Sequence, residues 1–169
     1  MQRILIGLLA GLLSLLSATN AFSAEGDLRP SLVLNQIRVI AASESGGDEL
    51  YFDIGIYQSN QPTQYLRIPK KPMHWSSAIV DKIKEVPLWS QSLKSGQAVT
   101  LIVSLIDRDR SSMNPDDLIG TIRVDLNNDK GHLKTRWSMP NRPASIGNKA
   151  MQKFDLMGEG RYEVSFTVK

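Results

Sequence analysis

The most telling absence in this sequence of 169 residues is cysteine, which does not occur at all. Without cysteine the chain can form no disulfide bond, offer no thiolate to a metal or substrate, and carry no lipid on an N-terminal cysteine. Histidine is nearly absent too. The two that occur, His74 and His132, lie far apart and lack the spacing of a zinc site. The fold must therefore be held by side-chain packing, alone or together with a hard metal ion.

Catalytic patterns are also missing from the sequence. Serine is plentiful, but no serine lies in a G-x-S-x-G sequence, and no histidine or cysteine accompanies the clustered acidic residues. The charge is nearly balanced, with 20 Lys and Arg against 17 Asp and Glu. A small basic patch, formed by Arg67, Lys70 and Lys71, is interpreted as a solvated loop because three charges give only modest attraction to an anionic surface. We predict a protein that is not an enzyme and that binds no nucleic acid.

The long apolar run of the sequence lies at its N-terminus. Residues 1–23 begin with a short positive segment, continue with an apolar run over 4–18, and end with small or polar residues. This arrangement predicts a secretory signal peptide, cleaved after Ala21 or Ser23. A retained membrane anchor is the alternative, although the run is short for a span of about 20 residues. We therefore expect residues 24–169 to form one mature domain without a transmembrane helix, in the periplasm or secreted.

The mature sequence consists of short alternating segments separated by Gly, Pro, Asn and Asp. A change of phase near Asn35 indicates a bulge in the first segment. Residues 73–86 have near-helical spacing, which favours a short helix over an irregular loop, and 138–152 is predicted to be the longest loop. The series of short alternating segments separated by turn residues predicts an all-β, eight-stranded antiparallel β-sandwich. The clearest strand segments are 32–42, 50–58, 65–68, 99–106, 119–126, 132–137 and 161–168.

Four acidic side chains crowd the segment between two of these strands, at Asp107, Asp109, Asp116 and Asp117. Carboxylates so close in sequence repel one another unless water or a cation separates them. Asp107 and Asp109 are two positions apart, so in an extended chain both side chains point the same way. Calcium takes about six to eight oxygen ligands at flexible geometry, which makes the segment a candidate calcium site. The alternative is that these residues are turn formers, a common role of Asp.

The run VSLIDRDRSSMNPDDLIG resembles the third top loop of a C2 domain. VPLWSQSL resembles that family's N-P-x-W-x-E-x-F segment, and GGDELYFDI resembles its G-x-S-D-P-Y-V-K-V segment. The matches occur in the family's order, span most of residues 32–169, and imply a C2-like β-sandwich domain over 24–169. They also imply that Asp48, from the first top loop, joins Asp107, Asp109, Asp116 and Asp117 as a calcium ligand. The third loop is longer than the family pattern, and the first loop lacks one acid.

Two functions follow from these observations. The first is an exported, non-enzymatic binding module that engages a phospholipid surface or an envelope protein through its top loops, with calcium as a possible cofactor. The alternative is a metal-free structural subunit of a cell-envelope or secretion assembly, in which the faces or edge strands of the sandwich carry the contacts. The sequence does not indicate the oligomeric state.

Overall fold

The computed structural model describes residues 26–109, 115–140 and 149–169. These residues form ten strands and a short 3₁₀ turn at Val80–Lys82. The strands are β1 (Ser31–Ala41), β2 (Glu49–Gln58), β3 (Gln64–Ile68), β4 (Trp75–Ser76), β5 (Lys84–Ser90), β6 (Ala98–Asp107), β7 (Asp117–Asp129), β8 (His132–Ser138), β9 (Met151–Met157) and β10 (Arg161–Val168).

The strands form two antiparallel sheets that pack against each other. The four-stranded sheet has the order β5-β1-β10-β9, and the six-stranded sheet has the order β3-β2-β6-β7-β8, with β4 beside β2. Along β6, buried and partly exposed residues alternate, so this strand turns one face to the interior. The prediction of an all-β antiparallel sandwich is confirmed.

A cluster of aromatic rings joins the two sheets at the centre of the core. The rings of Phe52, on β2, and Phe166, on β10, meet edge to face with their centroids 5.8 Å apart. Trp137 is fully buried and lies 6.3 Å from Phe166 and 5.6 Å from Phe154. Such contacts add to the large apolar area that each ring removes from water. The inward residues of β10, which alternation identified in the sequence, all belong to this core: Tyr162, Val164, Phe166 and Val168.

The bulge predicted near Asn35 is confirmed. The register between β1 and β10 shifts between Leu34 and Gln36, so that Asn35 is the extra residue. The shift lets Leu34 and Ile37 both face the core although they are three positions apart.

The described residues form ten strands where eight were predicted, and three of the ten lie outside the seven segments named from the sequence. These are β4, β5 and β9, and β9 begins inside the predicted loop 138–152. The helix favoured over 73–86 is wrong, because that segment contains β4, the 3₁₀ turn and the start of β5. Only Val80 of its apolar residues is fully buried, and Ile79 is exposed, so the apparent helical spacing does not describe one buried face.

One end of the sandwich gathers connections from both sheets, and we call it the loop end. Asp107 pairs with Leu50 and with Asp117, while Arg161 pairs with Ala41 and with Met157. These pairings place four segments together at this end: 42–48, 69–74, the described parts of 108–116, and 158–160.

The predicted signal peptide, residues 1–23, lies outside the described residues. Among residues 26–109, 115–140 and 149–169, no helix is long and apolar enough to cross a membrane.

Candidate functional site

Asp48 is the central buried acid of the loop end, with a side chain only 1 % exposed. Its carboxyl oxygens accept hydrogen bonds from the backbone N–H groups of Ser43, at 3.1 Å, and Glu44, at 3.0 Å. The hydroxyl of Tyr162, which comes from the opposite sheet, donates to Asp48 Oδ2. Burial and this hydrogen bond raise the pKa of Tyr162 above its ordinary value. Asp48 therefore closes the 42–48 turn and joins it to β10.

Asp107 lies beside Asp48 and is linked to it through one serine. Oδ1 of Asp107 accepts from the backbone N–H of Glu49 at 2.7 Å, and Oδ2 accepts from the hydroxyl of Ser43 at 3.3 Å. The same hydroxyl lies 3.1 Å from Asp48 Oδ1. Asp48 and Asp107, which the sequence placed on the first and third top loops, thus lie side by side in the structure. Burial raises the pKa of Asp107 to about 6, and the charge of Asp48 adds to the rise.

The raised pKa of Asp107 predicts a pH dependence of stability. The folded protein holds this proton more tightly than the unfolded chain, so ionisation of Asp107 costs stability as pH rises from about 4 to about 6. Asp107→Asn removes that cost while its amide can still accept from Glu49 and donate to Ser43. We expect the variant to gain stability relative to wild type between pH 4 and pH 7, as measured by urea unfolding.

Asp81→Asn is the control for the loss of one negative charge, because Asp81 has an exposed carboxyl on the 3₁₀ turn. If the difference in unfolding free energy between wild type and Asp107→Asn stays constant over this pH range, the raised pKa of Asp107 is wrong.

Asp109 and Asp117 form a second acidic group, together with Glu159. The charge of Asp117 raises the pKa of Glu159, and the charge of Asp109 adds to the rise, so the Glu159 carboxyl lies close enough to both acids to be repelled by them. Oδ2 of Asp109 is buried and has no hydrogen-bond partner among the described residues.

Asp116 belongs to neither acidic group. It is exposed, and its Oδ2 accepts a hydrogen bond from the hydroxyl of Tyr51 at 2.7 Å. The guanidinium of Arg67 lies 4.0 Å from the same oxygen. Burial and the bond to Asp116 raise the pKa of Tyr51. Asp116 is therefore paired with a basic and a phenolic side chain on the outer face of the six-stranded sheet.

The five predicted metal ligands are thus distributed over three places at the loop end. Within the parts of the chain that the structure describes, no group of three or more His, Asp or Glu side chains has the arrangement to hold a metal ion. Asp48 and Asp107 are the most buried of the five, and their oxygens accept hydrogen bonds from the protein. Calcium binding stays a prediction, and among the described residues the buried Oδ2 of Asp109 is the carboxylate oxygen without a hydrogen-bond partner.

Sequence reasoning missed three residues of this site. The Ser43 hydroxyl bridges the two buried acids, whereas the Tyr162 hydroxyl donates to Asp48 alone, and these roles depend on contacts across 64 and 114 positions of the chain respectively. Glu159 lies in the G-E-G turn between β9 and β10. Two glycines around an acid at a strand boundary were the available signal for a tight, functional turn.

No known protein-family model matches this chain, and the comparison with curated proteins finds no match.

Proposed function

We propose that this chain is an exported, non-enzymatic binding module with a C2-like sandwich, whose loop end engages an envelope protein or a phospholipid surface. The observation that carries the proposal is the hydrogen-bonded network of Asp48, Ser43, Asp107 and Tyr162. It ties the 42–48 turn and the end of β6 to the opposite sheet. Segments from both sheets are thereby presented together at one end.

A fixed set of loops on a rigid sandwich suits recognition. Loops carry binding residues in many scaffolds, because exposed backbone can vary without loss of the core. Ordering a loop upon binding costs conformational entropy, and a loop that is already held by buried hydrogen bonds avoids much of that cost. The acids that fasten this end lie beneath its surface, so the exposed residues around them are available for contacts.

Two forms of this function differ in their need for metal. In the metal-free form, the hydrogen bonds of Asp48 and Asp107 alone hold the loops, and the chain serves as a structural or interaction subunit of an envelope or secretion assembly. In the calcium form, the ion binds at the loop end with Asp109 and Asp117, two of the five predicted ligands, and relieves the repulsion between the acidic side chains there. The buried Oδ2 of Asp109, which has no hydrogen-bond partner in the described part of the chain, favours the calcium form, whereas the hydrogen-bonded oxygens of Asp48 and Asp107 favour the metal-free form.

The absence of cysteine allows a direct test of which end binds. Ser45, at the loop end, and Ser92, at the opposite end of β6, are both exposed. β6 has ten residues and is therefore about 30 Å long. Each serine is replaced by cysteine and coupled to a bulky polyethylene glycol maleimide. We expect modification at Ser45→Cys to abolish co-sedimentation of the mature protein with envelope vesicles, and modification at Ser92→Cys to leave it unchanged.

The same sedimentation is repeated with calcium and with EDTA. Binding that survives EDTA supports the metal-free form, and binding that requires calcium supports the calcium form. Equal binding by the two modified proteins would show that the loop end is not the contact surface. The unmodified cysteine variants control for the substitutions themselves.

A further inference from the structure

A small basic pocket lies beside the loop end, on the outer side of the six-stranded sheet. Its volume is about 290 Å³, and it is lined by Arg67, Lys71, Pro72, Arg108 and Asp116. The lining comes from three separate segments: β3, the turn after it, and the chain that follows β6. Since a water molecule occupies about 30 Å³ of liquid, the pocket has room for a small tetrahedral anion and several waters.

Arg67 is a largely buried side chain with a fixed orientation in this pocket, rather than a solvated charge. Its side chain is only 13 % exposed, and its guanidinium carbon lies 3.4 Å from the centre of the Tyr51 ring. Its Nε is buried and lacks a hydrogen-bond partner among the described residues. An aromatic ring under one face of a guanidinium fixes its plane and leaves its edge for planar recognition of an anion.

Arg108 supplies a second cationic group that is held in place. Its Nη1 donates to the carbonyl oxygen of Pro72 at 3.4 Å and lies 3.4 Å from Nδ1 of His74. Lys71 is exposed and can turn its ammonium group towards the pocket. These contacts connect the turn after β3 to the chain after β6, so the cations come from segments that the fold brings together.

The charges lining the pocket do not balance. Among the described residues that line it, three cationic side chains face one carboxyl, that of Asp116, which leaves an excess of two positive charges. Asp53 pairs with Arg67 in the sheet register but does not line the pocket. A phosphate monoester carries about two negative charges at neutral pH, and arginine binds phosphate through two parallel hydrogen bonds. A diester carries one charge and presents fewer free oxygens.

We propose that the pocket around Arg67 binds the phosphoryl group of a phosphate monoester, with Asp116 as an internal anion that competes for Arg67. The group can be soluble phosphate or the headgroup of a lipid that ends in a monoester. The proposal deepens the proposed function, on which it rests for the biological partner, because the pocket lies beside the proposed contact surface. Binding of the anion itself depends only on the pocket.

The first experiment titrates the mature protein with inorganic phosphate by calorimetry, at pH 7.5 and low ionic strength. We expect a dissociation constant on the order of 1 mM, with chloride at the same ionic strength giving no saturable heat. Arg108→Gln and Lys71→Gln should each weaken binding about fivefold to tenfold, because a charge-assisted hydrogen bond is lost. Arg67→Gln should abolish it, and its melting temperature shows whether the fold is kept.

Arg136→Gln is the matched control, since Arg136 is exposed on β8 and does not line the pocket. It should bind phosphate as wild type does. Asp116→Asn should bind about threefold to tenfold more tightly, because the competing internal charge is gone. The absence of saturable binding, or an equal loss in Arg136→Gln and Arg108→Gln, would overturn the proposal.

Vesicles separate the two sources of the anion. Vesicles of phosphatidylcholine are mixed with phosphatidic acid, a monoester, or with phosphatidylglycerol, a diester, at equal surface charge. Binding to the first but not the second, abolished by Arg108→Gln, identifies a lipid headgroup. Phosphate binding without vesicle binding identifies a soluble ligand. If phosphate fails to bind while envelope vesicles are still bound through the loop end, the pocket proposal fails and the proposed function stands.

Discussion

Asp48→Ala is expected to lower the free energy of unfolding by about 4 kcal/mol, which is among the largest effects of a single substitution. The carboxyl is 1 % exposed and accepts from two backbone N–H groups and the Tyr162 hydroxyl. Removing it leaves those donors without the acceptor that the fold provides, and an unsatisfied buried donor costs about 1 to 3 kcal/mol. The melting temperature should fall by roughly 10 °C.

Two controls separate this network from a general effect of lost charge. Asp53→Ala removes an exposed carboxyl from β2 and should change the unfolding free energy by about 0.5 kcal/mol or less. Tyr162→Phe removes only one donor and should cost about 1 kcal/mol. Amide hydrogen exchange at Ser43 and Glu44 should accelerate in Asp48→Ala. A melting temperature within about 2 °C of wild type would mean that the network does not stabilise the loop end.

The sequence predicted those strands whose side chains alternate between core and solvent. β10 is the clearest case, because four polar and four apolar residues alternate along its sequence with the period of a strand. The missed strands have weaker patterns. β5 contains Pro87, and only its Leu88 and Trp89 are buried. In β9 only Phe154 and Leu156 are buried. Both are edge strands, which need only one neighbour and bury less.

The candidate site could be predicted in position but not in chemistry. The acidic segment after β6 pointed to the loop end, and Asp48 and Asp107 do approach each other there. Their hydrogen-bond partners include residues that are distant in sequence: Ser43 contacts Asp107, and Tyr162 contacts Asp48. A list of acids along the chain cannot distinguish a carboxyl that accepts backbone hydrogen bonds from one that is free for a cation. That difference arises only when the two sheets pack.

The same reasoning explains why the basic pocket was missed. Arg67 and Lys71 looked like part of a solvated turn, because Arg108 follows a different strand and Tyr51 lies on another one. The stacking of Arg67 on Tyr51 results from the pairing of β2 with β3. The sheet therefore converts an exposed arginine of the sequence into a largely buried one, whose charge has a fixed direction.

Gly158→Ala is expected to destabilise the protein by about 3 kcal/mol, the second large effect. A Cβ at this position would lie 2.6 Å from the carbonyl oxygen of Leu118 and 2.7 Å from Cα of Ile119. Both are backbone atoms of β7 that cannot rotate away, so the 158–160 turn must move as a whole. Overpacking of this kind typically costs about 1 to 3 kcal/mol, and more where neither side can shift.

Movement of the 158–160 turn in Gly158→Ala is expected to affect the proposed contact surface as well. A Cβ on Gly160 would lie 3.2 Å from Oδ2 of Asp48, so the turn covers the buried network closely. Moving it in Gly158→Ala should open the network to water and weaken envelope binding as well as stability. Gly46→Ala is the matched control, because a Cβ there meets nothing within 4 Å. Urea unfolding measures the stability of the two variants, and vesicle sedimentation measures their envelope binding. If Gly158→Ala behaves like Gly46→Ala in both assays, the close packing of the turn on β7 does not hold the loop end together.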